Sequence, residues 1–550
     1  MVSEEKIIEE KKEKLKNLFV DKNRLILLAI LIFAFAIRLY YFFLTKNQPL
    51  WWDEADYMAY AKNLAGIENG WIVTPPHNSI FPFIVSLFFR FGFSEVAIRF
   101  LVAFIPSIVL VLVTYFLCIE LFEDKRIALI STFLMGVFWE IIFWSMRFHL
   151  EGPALILGFL SIYVVRVGYE KRKKIFSFIN ANWAVPIAAI LAVLTYGMRR
   201  GYFVFGVFLV VYIFSTKRFK EIIKDKYNWI GVFLGFAILL FLEKFIFVSP
   251  ITSVAGGYYG SKPFSLAPFG VFPAFFDNIF NPISSVLLYL FWIGFMIVMG
   301  QIALSFGHIK GSSNDSKGTL MAFITIAVTL SYFLFYQRQS VLGEARWYYP
   351  LLIGSFVCVS KGTLIIVDYA KKYKKILGIV ILIGLLAFGG YYELKHANFI
   401  IKNKMNSYNG IKEASLFVKD LSSPGDIILA TPLPQASYYA EREILHPVTM
   451  TNDSNPDFQK FLSKLKLESN ARYLIITFSE PYPDWLRKET FVKDQNGQVR
   501  YATWEIPFMD STLDFINNKQ DIKESKTYDG ITFKLLTVKD DAFVYEIERT

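Results

Sequence analysis

Three carboxylates stand among aromatics in Trp51-Trp52-Asp53-Glu54-Ala55-Asp56-Tyr57, just past the first long apolar segment of the chain. Asp53, Asp56, Tyr57 and Tyr60 are spaced i, i+3, i+4 and i+7, so a helix beginning at Asp53 puts them on one face. A carboxylate there can take a proton from a bound hydroxyl. It can equally do no more than favour the positive end of the helix dipole. Residue chemistry alone leaves these two readings of Asp53 and Glu54 balanced.

Further charges interrupt apolar stretches. Arg38 lies inside the first of them, where a guanidinium must snorkel to the interface or find a partner; Asp53 and a lipid phosphate are the candidates. Glu140, Trp144, Arg147 and Glu151 fall at i, i+4, i+7 and i+11, one stripe if a single helix carries them all. Arg147 and Glu151 then form either a structural ion pair or part of a substrate site, and His149, off the stripe, reads as a lone interfacial histidine. Tyr196, Arg199 and Arg200 share a turn; Glu243 and Lys244 sit late in another apolar run, and Arg338, Glu344 and Arg346 bracket a loop. Arginines beside acids suit a phosphorylated, lipid-anchored substrate, because guanidinium binds phosphate oxygens in bidentate fashion and keeps its charge. Attraction to anionic headgroups is the plainer use of each arginine taken singly.

The elements that must position these groups are membrane spans. Of 550 residues, 54% are hydrophobic and 18% aromatic, the composition of a polytopic α-helical membrane protein. Crossing about 30 Å of hydrocarbon takes roughly twenty apolar residues. Eleven segments qualify: 24–44, 95–121, 127–145, 152–168, 183–198, 202–215, 229–248, 283–306, 319–336, 346–368 and 376–392. The net charge of +11 is spread over short loops, at Lys125-Arg126, 171–174, 217–226, 310–317 and 371–375, all on one face. That pattern marks the cytoplasmic side and places the charged N-terminal segment, 1–23, there too; nucleic-acid binding is not implied. The first span has a long charged lead and no small-residue cleavage site, so it reads as an anchor. Cys118 and Cys358 lie in apolar runs, which supports neither a disulfide nor a cysteine metal site.

The acidic stretch therefore falls in a first outer loop, 45–94, of a membrane domain covering 24–394. Within that loop, 53–65 and 80–91 are expected to be interfacial helices. Outer loops are also expected at 147–151, 199–200, 249–282 and 337–345. From 395 to 550 the apolar runs stop and a second, extracytoplasmic α/β or α+β domain begins. Helices are expected at 411–421 and 457–467, strands at 426–430 and 473–478, and a hairpin over 533–538 and 542–547. This tail has no glycine-rich phosphate loop, paired metal-ligand histidines or nucleophile elbow.

In their order, these motifs resemble the membrane-embedded glycosyltransferases of the C type, family 39 in particular, with its protein O-mannosyltransferases and lipid A aminoarabinose transferases. Arg38 followed by Asp53-Glu54 is similar to the family's first-span arginine and first-loop acidic pair. Pro75-Pro76-His77-Asn78-Ser79-Ile80-Phe81-Pro82 and the run Phe91 to Arg99 resemble the segments that follow. Arg147 with Glu151, Leu191 to Thr195 with Arg199, and Arg346-Trp347-Tyr348-Tyr349-Pro350 resemble its later clusters. Two departures occur: Tyr196-Gly197-Met198 separates Thr195 from Arg199, and no leucine follows the proline pair.

The resemblance implies the C-type glycosyltransferase fold. It also implies a polyprenyl-phosphate sugar donor, dolichyl or undecaprenyl, and transfer with inversion to an acceptor hydroxyl on a protein, glycan or lipid at the outer face of the cell membrane. Asp53 would be the base, with Glu54 orienting it or the acceptor. Arg147, Arg199, Arg200 and Arg346 would compete for the phosphate, with Arg38, Tyr57 and Glu151 completing the binding set. No cofactor is required, although Asp53 and Glu151 could hold a divalent cation. A lipid or solute transporter or flippase is the rival reading, since charges within spans also mark substrate pathways. Against it stand the absence of an evident repeat and the large outer domain. A scaffold whose tail binds a surface partner is a second rival, and short cytoplasmic loops disfavour a nucleotide-sugar enzyme.

Overall fold

The computed structural model describes residues 22–67, 80–246, 285–305, 313–332, 345–448, 457–478, 480, 482–493 and 499–549. The proline pair at Pro75-Pro76, Arg338, Glu344, the loop over 249–282 and most of segment 1–23 lie outside them. Contacts divide the chain into two compact units. One holds residues 1–46, 78–81 and 95–402; the other holds 47–77, 82–94 and 403–550. Whereas the sequence places the whole first loop with the membrane domain, most of that loop packs with the C-terminal residues.

The first unit is helical. Over their described residues ten of the eleven expected spans fold as helix throughout, 127–145 being interrupted at Phe138, and among the described residues eight helices are long and apolar enough to cross a membrane. The others, Lys125–Val137, Arg200–Thr216 and Asn314–Leu330, are shorter helices. At 1.5 Å per residue, the 13 residues of Lys125–Val137 reach only about 20 Å. The helix stops because Phe138 turns to φ −61°, ψ 119°, and a new short helix, Trp139–Trp144, follows.

Buried polar side chains cap both sides of this break. The Arg38 guanidinium donates to the carbonyls of Gly136 at 2.7 Å and Met135 at 3.2 Å, groups that the last helical turn leaves without partners. A Glu393 carboxylate oxygen accepts the Trp139 N–H at 3.2 Å, the matching orphan donor of the next helix. Arg38 is therefore fully buried and engaged with backbone rather than snorkelling. Elsewhere the helices approach closely through small residues. A Cβ on Gly294 would overlap the Cys358 carbonyl, so Ser285–Ser305 and Leu352–Tyr373 cross nearly backbone to backbone.

The second unit is an α+β fold. Its strands are β1 (Ile427–Ala430), β2 (Glu443–Leu445), β3 (Ala471–Thr477), β4 (Lys488–Lys493), β5 (Val499–Ile506), β6 (Ser511–Asp514), β7 (Lys519–Asp521), β8 (Ser525–Tyr528), β9 (Ile531–Lys539) and β10 (Ala542–Arg549). One six-stranded sheet runs β2-β1-β3-β10-β9-β8, parallel among the first three and antiparallel thereafter. Alternation along the strands buries Leu429, Leu474 and Phe543 on one face and Ile428, Ile475 and Val544 on the other. Ile411, Ala414 and Val418, one face of the helix Asn409–Leu421, cover that second face. The strands and helices expected in the tail are present. The antiparallel sheet β4-β5-β6-β7 and the helix Leu433–Ala440 were not foreseen, because their mixed polar sequences carry weak periodicity.

Candidate functional site

In the helical unit the candidate residues meet where two antiparallel helices expose complementary ends. Glu151 is the first residue of Glu151–Val164, where the helix dipole favours an anion; Arg199 ends Ala184–Met198, where it favours a cation. The two side chains form an ion pair, with Glu151 almost fully buried. A second guanidinium comes from Arg346, whose Nε lies 3.8 Å from the same carboxylate oxygen. His149 Nδ1 is 2.9 Å from the other oxygen. Arg346 NH1 also approaches His149 Nδ1 to 3.0 Å. One ring nitrogen cannot donate to a carboxylate and accept from a guanidinium at once. The carboxylate requires a donor, so Nδ1–H belongs to Glu151, and Arg346 NH1 donates to the ring's remaining acceptor, Nε2, at 3.4 Å.

Aromatic rings hold this cluster in place. Trp144 lies under the Arg346 guanidinium at 5.1 Å and meets the His149 ring edge-on at 4.1 Å. The Tyr202 hydroxyl donates to the Arg346 carbonyl at 2.7 Å, and the Arg199 guanidinium sits 5.7 Å from the Tyr202 ring. Arg147 is buried beside Phe143, its guanidinium 5.7 Å from the ring. The segment carrying it is held by Arg99, which donates to the Met146 carbonyl at 3.1 Å and lies 4.6 Å from the Phe148 ring. A cavity of about 20 Å³ is lined by Arg147, His149, Glu151, Trp144, Ser107 and Tyr349, among others. That is room for about one water.

The expected helical stripe from Glu140 to Glu151 does not exist. The helix stops at Trp144, a turn follows, and Glu151 opens another helix. Folding nevertheless gathers Glu151 with Arg199 and Arg346, and Glu140 faces Tyr349 and Arg346. Nor is His149 a lone histidine, since it bridges Glu151 and the Arg346 side. The signal that could have found it is its position two residues before Glu151 in a tight turn, where both side chains can face inward. Arg200 starts the turn Arg200–Phe203 and faces Tyr196 and Glu243, which share a hydrogen bond.

The acidic stretch belongs to the other unit. Trp52–Leu64 is a helix, and Glu54 Oε2 accepts the Trp51 N–H at 2.9 Å, closing its N-terminus. Glu54 is buried in that role. Asp53, Asp56 and Tyr60 are half-buried, whereas Tyr57 is buried, so the face is only partly open. The helix lies against Leu433–Ala440. Lys62 pairs with Glu441 at 2.9 Å and sits 4.1 Å from the Tyr438 ring. The Leu50 N–H donates to the Tyr439 hydroxyl at 2.9 Å, and the Trp52 indole donates to Glu480 at 2.5 Å. Glu441 also pairs with Lys419 at 2.6 Å. Burial alone would raise the Glu441 pKa, but the two ammonium groups outweigh it and hold the carboxyl below its ordinary range. Among the described residues, no three His, Cys, Asp or Glu side chains group to hold a metal ion.

No protein-family model and no curated protein matches the sequence. Solved structures do match. The oligosaccharyltransferase AglB of Archaeoglobus fulgidus, solved with an inhibitory peptide and a dolichol-phosphate, aligns with a TM-score of 0.55 at 13% identity, over 86% of this chain and 74% of its own. The same enzyme has been solved with zinc and sulfate. The arabinofuranosyltransferase AftD from Mycobacteria aligns with a TM-score of 0.52 at 10% identity, over 94% of this chain and 40% of its own. ArnT from Cupriavidus metallidurans, bound to undecaprenyl phosphate, aligns with a TM-score of 0.50 at 10% identity, over 95% and 97%. At such identities the likeness is one of architecture: the chain has the fold of the C-type membrane glycosyltransferases.

Proposed function

We propose that the protein is an integral-membrane glycosyltransferase that moves a sugar from a polyprenyl-phosphate donor, dolichyl or undecaprenyl, to an acceptor hydroxyl. The observation that carries this reading is the buried cluster of Glu151, Arg199, Arg346 and His149 in a fold whose solved examples include enzymes bound to dolichol-phosphate and undecaprenyl phosphate. Arg199 and Arg346 converge on the Glu151 carboxylate, with Arg147 beside the same cavity and Glu140 facing Arg346. In this reading the arginines hold the lipid phosphate by charge-assisted hydrogen bonds.

In the reaction, the acceptor oxygen attacks the anomeric carbon as the carbon–oxygen bond to phosphate breaks. The bonding pair stays on the lipid phosphate, where arginines stabilise the growing charge. Asp53 receives the hydroxyl proton, and attack opposite the leaving group inverts the anomeric centre. Glu54, which closes the helix N-terminus, positions Asp53. The acceptor is a hydroxyl on a protein, glycan or lipid. The basic loops orient the N-terminus to the cytoplasm and the C-terminal unit to the outer face of the cell membrane. The chemistry needs no cofactor, and a divalent cation is the one addition it admits.

The test is purified protein in nanodiscs with a polyprenyl-phosphate-linked sugar, followed by mass spectrometry of the lipid. Appearance of free lipid phosphate together with glycosylated acceptor supports the reading. Translocation of the lipid without sugar transfer would replace it with a flippase.

A further inference from the structure

We propose that a groove between the helices Ala184–Met198, Val204–Thr216 and Lys226–Phe241 holds one acyl chain of an anionic phospholipid, whose headgroup rests on the basic loops at the groove's end. The groove measures about 220 Å³, and Ala188, Ala192, Gly206, Leu209, Gly231 and Gly235 are among the residues that line it. Every lining residue is apolar, so water finds no partner there and a hydrocarbon chain does. Small residues make the space. A Cβ on Gly206 would meet nothing beyond its own backbone within 4 Å. Val210 and Val232 stand at the rim, 55% and 63% exposed, so the groove opens on the outer surface of the helical unit, which is the surface a bilayer covers.

Charge at one end of the groove selects the headgroup. Residues 170–174 and 217–226 together carry nine basic and three acidic side chains. Two of the acids are already engaged: Glu170 pairs with Lys317 and Lys217, and Asp225 accepts the Tyr227 N–H at 3.0 Å. The loops meet around two tyrosines. The Arg172 guanidinium lies 5.3 Å from the Tyr169 ring and the Lys217 ammonium 5.6 Å from it, while Asn228 donates to the Tyr169 hydroxyl at 3.2 Å. The Tyr227 ring is 5.7 Å from that of Trp183. Val185, just beyond Trp183, and Gly231, one turn beyond Tyr227, line the groove where these loops begin. An anionic headgroup there meets Arg172 and Lys226, with exposed Phe178, Trp183 and Trp229 at the interfacial depth that aromatic rings favour. Arg199 closes the other end of Ala184–Met198, about 22 Å away over 15 residues. A donor whose phosphate sits at Arg199 cannot also place it at Arg172, so the occupant is a phospholipid of the opposite leaflet.

The experiment is native mass spectrometry of the full-length protein, stripped of lipid in detergent and titrated with phosphatidylglycerol or phosphatidylcholine of the same acyl chains. No sugar donor is added, so the result stands or falls apart from the transferase reading. One phosphatidylglycerol is expected to bind about tenfold more tightly than phosphatidylcholine. Gly206→Leu fills the groove and should weaken that binding about tenfold, whereas Gly206→Ala leaves room and should keep it. Val210→Trp blocks the rim and tests the same point if Gly206→Leu folds poorly. Arg172→Ala combined with Lys226→Ala, both exposed side chains, should instead remove the preference between the two lipids. Melting temperatures measured without lipid should not fall below that of the wild type, which separates loss of the site from loss of the fold. Equal affinity for the two lipids, or unchanged binding by both groove-filling variants, overturns the proposal. So does undecaprenyl phosphate that displaces phosphatidylglycerol mole for mole, since the groove would then belong to the donor. Glycerol phosphate competing as well as the whole lipid overturns it too, because the chain would have no role.

Discussion

Glu151, the buried first residue of one helix, and Arg199, the partly buried residue that ends the next, form an ion pair. Their helices run antiparallel, so a dipole-favoured anion and a dipole-favoured cation are brought to the same end of the bundle. Removing either partner leaves the other charge buried, at a cost of about 3–5 kcal/mol. Glu151→Gln and Arg199→Gln are each expected to lower the melting temperature in detergent, and the double variant to lose less than the sum. Additive losses would show that the two side chains do not depend on each other.

Asp53→Asn should reduce sugar transfer by about 100-fold or more, the usual scale for loss of a general base. Half-buried Asp53 is not the group that closes its helix, since Glu54 is. Folding, measured by thermal unfolding, should therefore be unchanged. Wild-type turnover by the variant would remove Asp53 from the mechanism.

Arg38 donates to the carbonyls of Met135 and Gly136 where a helix ends. Arg38→Leu is thus expected to reduce the yield of folded protein, with affinity for polyprenyl phosphate unchanged in the fraction that folds. A normally folded variant with weakened lipid binding would return Arg38 to the phosphate site.

Glu441 joins Lys62, on the helix of Asp53, to Lys419, and its pKa is held below the ordinary value of 4.5. A depressed carboxyl contributes stability above its unfolded pKa and loses it as pH falls through the lower folded value. Each partly exposed pair contributes about 0.2–1 kcal/mol. Hydrogen exchange of the amides in Trp52–Leu64 should accelerate relative to the intrinsic rate below pH 4.5. Glu441→Gln should abolish that step; a step that persists would assign it to another group.

Much of the fold was legible from periodicity and hydropathy. The span over 95–121 was readable because a long apolar segment in hydrocarbon must satisfy its own backbone, and a helix does so. The strand near Ile427–Ala430 was readable from its apolar run between turn residues. The break at Phe138 was not, since its partners, Arg38 and Glu393, are remote in sequence and only their side chains close the freed backbone groups.

By itself, the sequence determined that acids and arginines interrupt apolar segments at particular helix ends, and that an acidic helix follows the first span. It left open whether Glu151 pairs with Arg147, and it set His149 aside. Tertiary structure decided those matters, bringing Arg199 and Arg346 to Glu151 and placing His149 between them. It also joined the helix of Asp53 to the C-terminal unit through Lys62, Tyr439 and Glu480. The physical reason is range: periodicity and hydropathy act over neighbouring turns, whereas a buried charge takes whichever counter-ion packing delivers from a distant helix.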